Sequence, residues 1–124
     1  MERDTPQRRA IRRAFRASGR PMSPQELLDT ARGDGPRRGL ATVYRTVRAL
    51  EDEGWIVPVE LPGEPQRYER AGKDHHHHFS CKRCRRTFEL EGCPTGFEDM
   101  VPDGFRMETH EVFLFGLCDE CNTT

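Results

Sequence analysis

From Thr5 to Ser18 the apolar residues Ala10, Ile11, Ala14 and Phe15 recur at helical spacing, with Arg9, Arg12, Arg13 and Arg16 on the wetter faces. Thr5 is placed to cap this helix, Pro6 suits its first position, and Ser18-Gly19 ends it. Ser23-Pro24-Gln25-Glu26 is a capping box that opens a second helix running to about Arg32, with Leu27, Leu28 and Ala31 as its apolar face. Gly33 to Gly39 reads as a loop. A third helix begins near Ala41-Thr42. Its Val43, Val47 and Leu50 lie at i, i+4 and i+7, which turns Tyr44, Arg45 and Arg48 outward. After Gly54, Trp55-Ile56-Val57 and Gln66-Arg67-Tyr68-Glu69 read as two strands around a Pro62-Gly63 turn, and Pro58 shortens the first or keeps it at an edge. Three short helices followed by a hairpin is the order of a winged helix-turn-helix, whose last helix enters the DNA major groove.

The pattern changes at Ala71. Gly72-Lys73-Asp74 reads as a linker. Phe79 to Cys81 and Thr87-Phe88-Glu89-Leu90 are candidate strands, residues 95–101 a short helix, and Phe105 to Leu117 a longer strand or strand pair. The expected organisation is α+β: a winged helix-turn-helix over residues 1–70, then a small α/β domain over residues 71–124. Only 34% of the 124 residues are hydrophobic and 33% are charged, so two small cores fit better than one large one. No apolar run approaches membrane length and the start carries no apolar leader, so the expectation is a cytoplasmic protein with no membrane partner.

The net charge of -1 hides an asymmetry. Residues 1–48 carry 12 Arg against 5 acids, about +7, while residues 71–124 carry 6 Lys or Arg against 10 acids, about -4. A basic front half points to a polyanion as partner.

The chemistry of the back half lies in His75-His76-His77-His78-Phe79-Ser80-Cys81-Lys82-Arg83-Cys84 and in Cys118-Asp119-Glu120-Cys121. Imidazole and thiolate are the donors zinc prefers, and two C-x-x-C pairs supply a closed, tetrahedral, structural four-cysteine site. Side chains of an extended segment alternate faces, so His75 and His77 point one way and His76 and His78 the other. One run can then feed two metal sites.

Together these residues resemble the ferric uptake regulator family of metal-dependent transcriptional repressors. The similarity rests on Thr5-Pro6-Gln7-Arg8, Gly39-Leu40-Ala41-Thr42-Val43-Tyr44-Arg45, Arg67-Tyr68-Glu69, the histidine run with its C-x-x-C, Thr109-His110 and Cys118-Asp119-Glu120-Cys121. The resemblance implies a homodimer that binds an inverted-repeat DNA operator when loaded with metal. It implies structural Zn2+ on Cys81, Cys84, Cys118 and Cys121. It also implies a second, regulatory divalent ion (Fe2+, Zn2+ or Mn2+) at a hinge site of Glu69, His76 and His78. A further site of His75, His77 and His110 follows from the same resemblance, with Glu98 or Cys93 as its remaining ligand. DNA contacts fall to Tyr44 and Arg45, with Thr42 and Arg48 on the same helix. Arg8, Arg9 and Arg12 suit phosphate rather than base contacts.

The sequence departs from the family pattern at Pro21, where a histidine often completes the hinge site. It also begins almost at the first helix, without the basic leader of many members. Two other classes are weaker. A small zinc hydrolase needs an open coordination position and a nearby acid or base, and the sequence has neither H-E-x-x-H nor H-x-E paired with P-C-x-x-C. The expectation is therefore a non-enzyme. A zinc-ribbon interaction module without a DNA role leaves the basic, helical front half unexplained.

Overall fold

The computed structural model describes residues 5–31, 39–73 and 75–122, and the chain divides after Lys73 into two compact units. The loop expected from Gly33 lies outside the described residues as far as residue 38.

The first unit holds helices α1 (Pro6–Ser18), α2 (Pro24–Thr30) and α3 (Leu40–Asp52), then strands β1 (Ile56–Val59) and β2 (Arg67–Arg70). Each helix start has a cause in the sequence. The Thr5 side chain accepts from the Arg8 N–H at 3.2 Å, and Gly19 closes α1 in the left-handed region at φ 62°. In α2 the Ser23 hydroxyl accepts from the Glu26 N–H at 3.2 Å, and the Glu26 carboxylate accepts from the Ser23 N–H at 3.0 Å. Ser23→Ala removes half of this reciprocal cap. The expected result is a loss of about 1 kcal/mol in the first unit, read from denaturant midpoints at unchanged slope.

Ala10, Ile11, Ala14, Phe15, Met22, Leu27, Ala31, Val43, Val47, Leu50 and Ile56 form one buried cluster. β1 and β2 pair antiparallel, Ile56 opposite Arg70 and Val59 opposite Arg67, and Met22 bridges to Tyr68 on the other side of β2. That leaves β1, with Pro58 inside it, on the edge. One expectation for α1 fails. Arg12 is buried rather than wet, because Trp55 lies in reach of its guanidinium, 6.0 Å from the ring centroid; Arg16 and Arg70 approach the same ring to 5.5 and 5.2 Å.

The second unit is a three-stranded sheet in the order β4-β3-β5, with β3 (His77–Cys81) antiparallel to β4 (Thr87–Leu90) and parallel to β5 (Phe113–Gly116). A short 3-10 helix spans Phe97–Met100. The long strand expected from Phe105 reduces to β5. Residues 105–112 carry strand-forming residue types, but among the described residues they enter no ladder. Gly116 gives the Phe79 ring its place beside β5, since a Cβ there would stand 3.2 Å from the ring.

Candidate metal centres

Cys81 ends β3, and the turn after it brings Cys84 back. The Cys84 N–H donates to the Cys81 sulfur at 3.4 Å, and the Arg85 N–H donates to the Cys81 carbonyl at 3.0 Å. Arg85 pays for the tight turn with φ 68°, a region that disfavours a side chain. At the second knuckle the Cys121 N–H donates to the Cys118 carbonyl at 3.1 Å. The Lys82 N–H donates to the Gly116 carbonyl at 2.7 Å, tying the first knuckle to the strand that leads into the second. All four sulfurs lie within 4.8 Å of one another, and Cys84 and Cys118 stand 3.8 Å apart. That matches the edge of a zinc–thiolate tetrahedron, about 3.8 Å for bonds of about 2.3 Å. Burial pushes the Cys81 thiol up, but backbone N–H groups of Cys118, Cys84 and Arg83 outweigh it and bring it down to about 5. Burial and hydrogen bonds from the other thiols push Cys121 up to about 12. The backbone N–H groups thus favour a thiolate at Cys81, and a cation is the group that would ionise the rest.

A second donor set uses one face of the histidine run. His75, His77, Cys93 and His110 lie with their donor atoms within 4.8 Å of one another. The Nε2 atom of His75 is 3.2 Å from that of His77 and 3.4 Å from that of His110, and the Cys93 sulfur is 3.2 Å from His77 Nε2 and 3.0 Å from His110 Nε2. The two imidazole–imidazole distances match the N–N edge of a tetrahedral zinc site, about 3.3 Å, and the two sulfur contacts are shorter than its N–S edge of about 3.6 Å, so the sulfur would move outward on metal binding. Burial first, and then the imidazoles of His75 and His110, hold His77 below the usual imidazole range, so it stays neutral and able to ligate. The Val112 N–H donates to His77 Nδ1 at 3.1 Å, which places the proton of the neutral ring on Nε2. A metal on Nε2 displaces that proton, so metal loading competes with this bond.

Glu98 does not join this set: it is exposed on the 3-10 helix, and the residue that helix turns toward His110 is Phe97, with ring centroids 4.8 Å apart. On the other face of the run, His76 and His78 bring their ring centroids to 4.8 Å, with His78 buried. Glu69 is buried in β2 of the first unit, and Pro21 is fully buried beside the start of α2.

The first unit presents a different chemistry. Tyr44 is 54% exposed on α3, and Arg45 and Arg48 are exposed with it. The Arg45 guanidinium donates to the Thr42 hydroxyl at 3.2 Å, which holds it along the helix face. Arg8 is engaged by the Glu53 carboxylate. The buried Arg12, over Trp55, is not placed for a phosphate contact in this arrangement.

A sequence profile of the ferric uptake regulator family matches residues 2–115. The chain belongs to the ferric uptake regulator family. The Zinc uptake regulation protein of Mycobacterium tuberculosis is 32% identical over 124 residues, covering 98% of this chain and 95% of that protein. The Ferric uptake regulation protein of Campylobacter jejuni is 33% identical over 87 residues, covering 68% of this chain; the match spans 55% of that relative, about half its length. Among solved structures, a zinc-bound manganese uptake regulator superposes with a TM-score of 0.77 at 27% identity, covering 94% of this chain and 91% of that one. The Helicobacter pylori ferric uptake regulator, described with three functional metal binding sites, gives 0.70 at 26% identity over 98% of this chain and 83% of that one. These family members are named for iron, zinc and manganese, so membership alone leaves the ion open. Among the described residues no helix is long and apolar enough to cross a membrane.

Proposed function

We propose that this chain is a metal-responsive transcriptional repressor that binds an inverted-repeat operator as a homodimer when loaded with metal. The observation that carries the reading is the bare face of α3. Tyr44, Arg45 and Arg48 stand exposed on the third helix of a winged-helix unit, in a chain whose other unit gathers metal donors. Arg45 reaches base edges or phosphate, Tyr44 packs on thymine methyl groups, and Arg48 and Arg8 neutralise phosphate. Zn2+ on Cys81, Cys84, Cys118 and Cys121 is structural. The second ion, held by Glu69, His76 and His78, supplies the regulation. Residues 1–70 act as the DNA-binding domain and residues 71–124 as the dimerisation domain. The partner for dimerisation is a second copy of the chain. Among the described residues β5 is an edge strand; Leu114 and Phe115 within it and Leu117 just after it are 48%, 46% and 41% exposed. Such a regulator works where its operator is, in the cytoplasm, and has no catalytic step.

Operator and scrambled duplexes titrated at several salt concentrations, with and without divalent metal, test the reading. The expected result is a steep salt slope, a metal-dependent gain and a preference for operator. Arg45→Ala is expected to weaken specific binding by about 1–3 kcal/mol without changing metal content. Equal affinity of the parent for both duplexes would sink the readout assignment.

A further inference from the structure

We propose that the His75, His77, His110 site is completed by the Cys93 thiolate, and that this sulfur makes it a zinc site that discriminates against Mn2+ and Fe2+. This deepens the metal-responsive reading above by naming the ion one of its sites takes. The geometry rests on four donors from three stretches of chain. The Cys93 sulfur stands 3.2 Å from His77 Nε2 and 3.0 Å from His110 Nε2, and His75 Nε2 closes the set at 3.2 and 3.4 Å from the other two imidazoles. The carboxylate that would favour a harder ion, Glu98, is outside the set. One thiolate and three imidazoles in a tetrahedron suit zinc, whereas Mn2+ and Fe2+ favour more ligands and more oxygen. The Phe97 ring lies beside the His110 ring, centroids 4.8 Å apart, and adds no oxygen donor to the set.

Binding is an exchange without redox change. The Cys93 S–H bond breaks, its proton goes to solvent, and the sulfur donates its electron pair to the ion; the Nε2 proton of His77 passes to Nδ1, which gives up the bond from the Val112 N–H, and the freed Nε2 lone pair ligates. Cys93 is exposed, so without metal its thiol is open to alkylation. With metal the electron pair is occupied, and alkylation slows by the factor 1 + [L]/Kd, about a hundredfold at 100 Kd.

The test uses the full chain with zinc retained on the four-cysteine centre, verified by metal analysis, and the remaining sites emptied with a chelator. Co2+ is then titrated in. The expected spectrum has tetrahedral d–d bands and a near-ultraviolet sulfur-to-cobalt charge-transfer band. The band is expected to be absent in Cys93→Ser, and in Cys93→Asp to be absent while cobalt still binds. Zn2+ should reverse the parent spectrum where equal Mn2+ does not. Glu69, His76 and His78 contain no sulfur, so cobalt bound by them adds no such band. Iodoacetamide labelling mapped to Cys93, with and without Zn2+, reads the same ligation independently. No charge-transfer band in the parent, the same band in Cys93→Ser, or labelling indifferent to Zn2+ overturns the proposal. DNA enters none of these measurements. A cobalt–sulfur band with no metal effect on operator binding supports this site and sinks the repressor reading, and metal-dependent operator binding without the band does the reverse.

Discussion

Replacing Cys81 with Ser is expected to remove the metal from the four-cysteine centre and unfold the second unit while the first unit stays folded. The reason lies in what each unit buries. Every member of the buried apolar cluster belongs to the first unit. In the second, among the described residues, the buried residues counted as hydrophobic are Cys81 and Cys118 themselves; His77, His78, Ser80 and Thr87 are the polar groups buried with them. A three-stranded sheet with so little apolar interior lacks the burial that offsets chain entropy. A structural zinc site contributes roughly 10 kcal/mol or more to folding in small domains, enough to decide the outcome. Losing one thiolate also leaves Cys84, Cys118 and Cys121 gathered around an incomplete tetrahedron.

Metal analysis and amide hydrogen exchange read the result together. The expected Cys81→Ser protein lacks the zinc and loses protection across β3, β4 and β5. It keeps protection in α1 and α3, whose core is independent of metal. A variant that holds its zinc and melts like the parent would mean that the four sulfurs are not the structural centre.

Much of this was legible in the sequence because the signals were local. Caps, a proline at the first helical position and the i, i+4, i+7 stripe of Val43, Val47 and Leu50 specify short helices by themselves. Alternation along an extended segment was enough to separate His75 and His77 from His76 and His78. What was not legible depended on contacts distant in sequence. Arg12 follows the wet-face pattern of its helix, yet Trp55, more than 40 residues away, draws it into burial. Phe105 to Val112 has the composition of a strand, but strand formation needs a partner edge, which composition does not report. That Cys93 rather than Glu98 lies near His110 follows from how the chain from Gly92 to Met100 bends past that ring. A carboxylate on a short helix has the more familiar donor chemistry, and only the fold decides which group arrives.

The last expectation concerns which site governs DNA binding. His76→Ala is expected to abolish metal-stimulated operator binding, whereas His77→Ala is expected to lose an ion and some stability but keep the response. A ligand shifts a conformational equilibrium only by its differential affinity for the two states. His75, His77, Cys93 and His110 all belong to the second unit, so an ion there mainly stabilises that unit. The proposed regulatory set draws Glu69 from the first unit and His76 and His78 from the second. An ion held by it has a stake in how the two are arranged, and so in whether two α3 helices meet successive grooves. With Pro21 where a histidine often stands in the family, the proposed set has three protein ligands. A place left to water would weaken the site and make it more tolerant of iron and manganese than a thiolate site is. A working switch needs a coupling of roughly 1–3 kcal/mol, about 5–150-fold in operator affinity. Operator titrations of both variants, with metal content measured in each, decide the matter. A retained response in His76→Ala together with a lost one in His77→Ala would place control in the cysteine-containing site instead.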